Sequence, residues 1–124
     1  MRLLLDTHVY LWVRLDHPSL PESFRAVIAE PSNAKYVSSV SSAEIAVKRA
    51  VGKLEVDGEI GGDITGLGFD ELDFTHRHAR VLDGLPLHHR DPFDRMLVAQ
   101  AMAEDLVFLT VDARCAAYGV RLLL

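Results

Sequence analysis

Met1-Arg2-Leu3-Leu4-Leu5-Asp6-Thr7-His8-Val9-Tyr10-Leu11-Trp12-Val13-Arg14-Leu15 is the stretch whose reading decides the fold. Arg2 to Leu5 is a short, mostly apolar run ending on a carboxylate, and periodicity alone does not separate a buried strand from a helical turn there. The residues that follow make the distinction. Asp6 and Thr7 are good N-cap types, and Val9, Leu11, Trp12, Val13 and Leu15 then supply an apolar helix face, so Leu3 to Leu5 reads as the strand feeding a helix. Only three apolar residues in a row precede the first acid, too few for a signal-peptide core, and no apolar run approaches the ~20 residues that span a bilayer.

Outward from this start the same alternation continues. Pro18 and Pro21 mark a break, Glu22 to Glu30 reads as a short amphipathic helix closed by Pro31, and Lys35 to Ser39 reads as a second strand. The serines that follow supply turn and cap, and Ser42 to Val51 forms a helix with Gly52 at its C′ position. Five of the eight glycines fall between Gly58 and Gly68, a weakly structured excursion rather than a domain boundary. A third strand is expected at Glu71 to Phe74 and a helix at His76 to Leu82, stopped by Gly84 and Pro86. Asp91-Pro92-Phe93 then opens the best helix of the chain, with Asp91 as N-cap, Pro92 at N1, and Phe93, Met96, Leu97, Ala99, Ala101 and Met102 on its packed side. Leu106 to Thr110 is an apolar strand, Asp112 to Tyr118 a last helical turn closed by Gly119, and Val120 to Leu124 a final strand. Strands alternating with helices predict a single domain over residues 1–124, a three-layer α/β/α sandwich around a mainly parallel sheet.

Composition narrows the class of protein. At 124 residues and 49% hydrophobic content the chain can bury one ordinary core without disulfides. Its single cysteine, Cys115, cannot form an internal bridge and reads as a small packed residue, which makes a reducing cytoplasm the expected setting. The net charge of −5 argues against a nucleic-acid partner, but it is unevenly spread. Glu55 to Asp73 holds seven of the 18 acids and no Lys or Arg, so the other 11 acids face all 13 bases and the remainder is mildly basic.

In open parallel sheets, sites form beyond the carboxyl ends of the strands. Asp6 ends the first strand, Glu44 falls in the first turn of the helix after the second, Asp94 in the first turn of the long helix, and Asp112 after the Leu106 to Thr110 strand, with Asp91 close by. Clustered acids repel and raise one another's pKa unless a cation intervenes. An all-oxygen set suits Mg²⁺ or Mn²⁺, and a pair of such ions about 4 Å apart can hold the attacking and leaving oxygens of a phosphodiester in line. Each acid also has a structural reading. Ser41 and Glu44 have capping-box spacing, and Asp6, Asp91 and Asp112 are all acceptable N-caps. His76, His78, His88 and His89 lack zinc spacing and a cysteine partner, and paired histidines on a loop read as surface or substrate contacts.

Leu3-Leu4-Leu5-Asp6-Thr7-His8, the segment Ser42 to Lys48 with Gly52-Lys53-Leu54, the block Leu85-Pro86-Leu87-His88-His89-Arg90-Asp91-Pro92-Phe93-Asp94-Arg95-Met96-Leu97-Val98-Ala99-Gln100-Ala101, and Leu109-Thr110-Val111-Asp112 together resemble PIN-domain proteins, in particular the VapC-like toxins of type II toxin–antitoxin pairs. The resemblance implies a metal-dependent endoribonuclease with Asp6, Glu44 and Asp94 as central Mg²⁺ or Mn²⁺ ligands and Asp112 as the fourth acid. Asp91 and Thr110 would lie just behind them, and Arg90 and Arg95 become candidate RNA contacts. It also implies an RNA substrate, a small antitoxin partner and a homodimer, for which the exposed face of the Thr7 to Leu15 helix is a candidate surface. A catalytically silent PIN-type RNA-binding subunit is the main rival. A receiver-like signalling module lacks its acidic pair and its lysine here, and an Asp-x-Asp phosphatase fails because residue 8 is His.

Overall fold

The computed structural model describes residues 1–123. The elements are β1 (Arg2–Leu5), α1 (Thr7–Leu15), α2 (Glu22–Ala29), β2 (Ala34–Ser38), α3 (Ser39–Ala50), β3 (Asp70–Leu72), α4 (His76–Asp83), α5 (Pro92–Glu104), β4 (Val107–Leu109) and a 3-10 turn at Ala113–Tyr118. The four strands form one sheet in the order β3-β2-β1-β4, and every neighbouring pair is parallel. The chain steps from β1 outward through β2 to β3, then returns to place β4 on the other side of β1. The strand order therefore reverses between β1 and β4, where open α/β sheets place their sites.

The pleat of β1 divides the core in two. Leu3 and Leu5 point to one face with Val9, Tyr10 and Leu11 of α1, Phe24 of α2 and Val37 of β2, while Leu4 points to the other with Leu97, Val98 and Ala101 of α5 and Phe108 of β4. All three leucines are fully buried, as a strand covered on both faces requires. Helices on both faces of a parallel sheet make the three-layer sandwich that the alternation of elements predicts.

Several boundaries differ from expectation, each for a tertiary reason. In α1, Tyr10 is buried and Leu15 is 68% exposed, because the helix turns its first two turns to the sheet and leaves its last free. Helix α3 starts at Ser39 rather than Ser42. The Ser38 hydroxyl accepts from Val40 N and is itself bonded to Gln100 of α5, so a contact across the core selects which serine caps. Ser41 consequently lies inside the helix, where its Oγ accepts from Thr7 Oγ1 at 2.9 Å, and Glu44 sits in the second turn, not in a capping box. In α5, burial runs right round the helix from Leu97 to Ala101 rather than along one side, and Met102 is exposed. The third strand is Asp70–Leu72, one residue earlier and shorter than expected. The last expected strand, Val120 to Leu124, reduces to a single parallel bridge between Phe108 and Leu122, and Leu124 lies outside the described residues.

The glycine-rich acidic excursion is fastened at defined points. Ile64 and Phe69 are buried in the α1-side core. Tyr10 Oη donates to Asp63 Oδ1 at 2.5 Å, and Arg14 Nε pairs with Asp63 Oδ2 at 2.6 Å. Burial and this carboxylate raise the Tyr10 pKa, keeping the phenol a donor. Arg14 also donates to the carbonyl of Asp57, and Arg49 to that of Gly58. Gly58 has φ +90°, and a Cβ there would stand 3.2 Å from the Arg14 guanidinium, so both backbone and space call for glycine. The segment ends in edge strand β3, whose Asp-Glu-Leu sequence guards an open sheet edge with charge. Asp63→Ala removes the acceptor of both Tyr10 and Arg14, and should lower the thermal midpoint and open residues 57–68 to limited proteolysis. Glu71→Ala, at an exposed position, should change neither measurement.

Candidate metal centre

Asp6 caps α1 by position but not by side chain. Its backbone is extended, yet its carboxylate makes no bond to the helix N-terminus. Instead Oδ2 accepts from Thr110 Oγ1 at 2.6 Å, and Thr110 Oγ1 accepts in turn from Asp112 N at 3.1 Å. The Thr110 hydroxyl thus ties the end of β1 to the end of β4. Asp6 is 6% exposed, and burial raises its pKa against the opposing help of Thr110.

Glu44 reaches the same edge from α3, where it is 3% exposed. Its Oε2 pairs with Lys48 Nζ, one turn on, at 2.5 Å. Its Oε1 is buried and has no hydrogen-bond partner. Such an atom carries a desolvation cost that a bound cation would relieve. Lys48 loses hydration by partial burial, but its bond to Glu44 and the charges of Glu44, Asp91 and Asp94 outweigh that loss and hold its pKa above the ordinary value.

Asp91 and Asp94 come from the start of α5. Asp91 Oδ1 accepts from Phe93 N and Asp94 N, so this side chain caps the helix, with Pro92 at N1 as expected. Asp94, a turn inside, feels burial first and then the charges of Asp6, Asp91 and Glu44, and its pKa is pushed up to about 7. These couplings place Asp6, Glu44, Asp91 and Asp94 within electrostatic reach of one another.

His89 is the residue that sequence reading missed. Expected at the surface, it is 4% exposed. Its Nε2 lies 3.0 Å from Asp94 Oδ2 and 3.0 Å from Asp112 Oδ2. Its Nδ1 accepts from Asp91 N at 3.1 Å, which leaves the ring proton on Nε2, between the two carboxylates. Its own amide donates to Tyr118 Oη at 2.8 Å. Potential ligand atoms of His89, Asp94 and Asp112 all lie within 4.8 Å of one another, but this tautomer makes the imidazole a donor that locks two acids together. The available signal was the position of His89 two residues before an N-cap, where a buried loop residue braces a helix start.

Asp112 is the most heavily bonded acid. Oδ1 accepts from Arg114 N and Nε, and Oδ2 from Arg114 Nη2 and His89 Nε2. Four donors fill a carboxylate's capacity and hold its pKa well below the ordinary range, the Arg114 hydrogen bonds leading. Asp6, Glu44 and Asp94 are thus the acids whose oxygens are least taken up by the chain's own donors, whereas those of Asp112 are fully engaged. Arg90 is exposed beside this edge, whereas Arg95 donates from Nη2 to the carbonyl of Leu85 at 3.0 Å and braces the loop before α5. The zinc reading of the other histidines also fails on geometry for His78. That ring is 1% exposed, with Nδ1 accepting from Thr75 N and Nε2 bonded to Glu104.

The PIN domain family model matches residues 3–120. Comparison with curated protein sequences finds no significant match. Among solved structures, FitAcB from Neisseria gonorrhoeae superposes with a TM-score of 0.70 at 21% identity, covering 98% of this chain and 96% of that one. VapBC2 from Rickettsia felis, bound to a DNA fragment from its promoter, gives 0.69 at 17% identity over 99% and 98%. DNA-bound VapBC from Salmonella typhimurium gives 0.65 at 16% identity over 99% and 97%. These similarities are of fold.

Two predictions follow from this geometry. His89→Ala strands buried donors and acceptors on Asp91, Asp94 and Asp112, a loss of about 1–3 kcal/mol, whereas His89→Gln, which keeps an amide donor, should recover part of the thermal midpoint. Because the folded-state pKa values of Asp6 and Asp94 are raised, the folded chain holds their protons more tightly than the unfolded one. Their contribution to stability without metal should then be fully present below about pH 4 and be lost as pH rises to about 7, whereas that of Asp112, whose pKa is depressed, is lost only at more acid pH. Asp94→Asn should flatten this decline in EDTA and raise the midpoint near pH 8 by roughly 5 °C.

Proposed function

This chain belongs to the PIN domain family, and on that footing we propose that it is a metal-dependent endoribonuclease, the VapC-like toxin of a type II toxin–antitoxin pair. The observation that carries the reading is the buried, partnerless Glu44 Oε1 beside two carboxyl groups whose pKa values are raised by burial and by mutual repulsion. That arrangement is costly as a purely structural feature and becomes favourable with a divalent cation among its oxygens.

Asp6, Glu44 and Asp94 would hold Mg²⁺ or Mn²⁺, which when bound supplies a water of lowered pKa and offsets the charge of a phosphodiester. The chain's own groups set the geometry around it. Thr110 fixes the rotamer of Asp6 by donating to Oδ2, and Lys48 holds Glu44 Oε2 while leaving Oε1 free. His89 Nε2–H holds Asp94 against Asp112, and Arg114 keeps Asp112 ionised so that the imidazole has a fixed acceptor. Arg90, exposed four residues before Asp94, would meet RNA phosphate at the rim. The fold shared with VapBC and FitAcB supports a small antitoxin as partner, and a cytoplasmic location is part of the same reading. Among the described residues no helix is long and apolar enough to cross a membrane.

The purified chain, freed of antitoxin, should cut a mixed cellular RNA pool into discrete fragments in Mg²⁺ or Mn²⁺. EDTA should abolish the cleavage, and Asp6→Asn or Asp94→Asn should reduce it by at least about 100-fold while the protein stays folded. Full activity of Asp6→Asn would overturn the assignment.

A further inference from the structure

On the α1 side of Glu44 lies a cleft of about 400 Å³, whose lining includes Thr7, His8, Glu44, Lys48, Lys53 and Leu54. We propose that this cleft binds a phosphate of the RNA strand next to the one being cut, with Lys48 and Lys53 as its cationic groups. The proposal rests on the nuclease reading for the identity of the ligand, and on the following geometry for its place.

The chain has three lysines, Lys35, Lys48 and Lys53, and two of them line this one cleft in a protein of net charge −5. Their pairing is built by the backbone. Helix α3 ends in a reversal at Gly52, φ +74°, where Gly52 N donates to Arg49 O and Lys53 N donates to Lys48 O. This double closure, with glycine at C′, returns Lys53 over the turn that carries Lys48. The Lys48 ammonium uses one of its three donors on Glu44. Among the described residues the Lys53 ammonium has no hydrogen bond or ion pair. Neither lysine is needed to neutralise a second acid in the cleft.

The surrounding charges define where an anion stops. Beyond His8, Leu11 and Leu54 the cleft joins an apolar groove edged by Trp12, His17, Glu55 and Asp57, and those acids oppose a phosphate there. Arg14, also in the groove, is already paired with Asp63. The cationic end is therefore the one that abuts Glu44, so an RNA strand crossing the metal-facing oxygens has its neighbouring phosphate delivered to the two ammonium groups.

The test is the binding of a fluorescein-labelled single-stranded RNA of mixed sequence, followed by fluorescence anisotropy over a range of salt, with Ca²⁺ in place of Mg²⁺ and the probe checked for integrity. Lys53→Gln should weaken binding by about threefold or more and lower the slope of log K against log salt by about 0.7. Lys48→Gln should do at least as much. Lys35→Gln, at the start of β2 and so at the opposite edge of the sheet, should bind as the unsubstituted chain. Unchanged affinity and salt slope in Lys53→Gln and Lys53→Glu, both at an exposed position where folding is not at risk, would overturn the proposal, as would the absence of RNA binding by the unsubstituted chain. Lysine-dependent binding without cleavage in Mg²⁺ or Mn²⁺ would support the cleft and remove the nuclease reading. Cleavage indifferent to Lys53 would do the reverse. Binding of a fluorescein-labelled acidic peptide that depends on Lys48 and Lys53, with RNA binding indifferent to both, would assign the cleft to a protein ligand and also overturn it.

Discussion

Carboxylates crowded at one edge of a parallel sheet repel one another, and much of the polar structure around them contains that repulsion. Each acid has its own restraint. Thr110 donates to Asp6, Lys48 to Glu44, His89 to Asp94, and Arg114 with His89 to Asp112, while Asp91 is spent on the backbone of α5. The restraints differ in charge, and the difference matters. Lys48 and Arg114 bring cations, whereas Thr110 neutralises nothing, so Asp6 and Asp94 retain raised pKa values at the centre of the cluster. The repulsion left unrelieved therefore falls on those two acids.

Holding such a cluster needs a base that does not yield. β1 supplies it, with Leu3, Leu4 and Leu5 wholly buried between two helical layers, each contributing roughly 1.5–3 kcal/mol by burial. Because β2 and β4 flank β1 in register, the residues that follow these strands emerge side by side. The amide of Asp6 donates to Leu109 O, which carries the ladder one residue past the strand and fixes Asp6 beside Thr110. Membership of the PIN domain family and the fold shared with VapBC and FitAcB describe this same framework. Residue placement within the site comes from the framework's edges rather than from the cluster itself.

What the sequence made legible follows from the range of the interaction involved. Strand β1, the Pro92 start of α5 and the Gly52 and Gly119 reversals are set by residues within a few positions, and all are found where local chemistry puts them. The start of α3 is not local. Four serines offer themselves as caps, and the bond from Ser38 to Gln100, across the core, chooses among them. His89 was hidden for the same reason, since its partners Asp94, Asp112 and Tyr118 meet only once α5, the end of β4 and the 3-10 turn are assembled. The acidic excursion looked like a flexible insertion because its fastening, Tyr10 and Arg14 to Asp63, lies some fifty residues away along the chain.

Acids near helix starts are ambiguous in any sequence, since capping and metal binding favour the same residues at the same positions. The geometry here separates the two uses. Asp91 and Asp112 spend side-chain oxygens on the backbone amides of their own helical turns, and both are structural in that sense. Asp6 occupies a cap position yet turns its carboxylate to Thr110, and Glu44 falls too deep in α3 to reach an N-terminus. Asp94 is the instructive case. At N3 of α5 it has the position from which a side chain reaches back to the N-cap amide, but His89 Nδ1 already accepts from Asp91 N. The histidine takes over the reciprocal half of the cap, and that substitution frees the Asp94 carboxylate to face the cluster. An acid that declines an available cap gives up about 1 kcal/mol of local stability. Asp6 and Asp94 both do so at one edge of one sheet, and their carboxylates are left turned toward Glu44 and each other instead of toward a helix start.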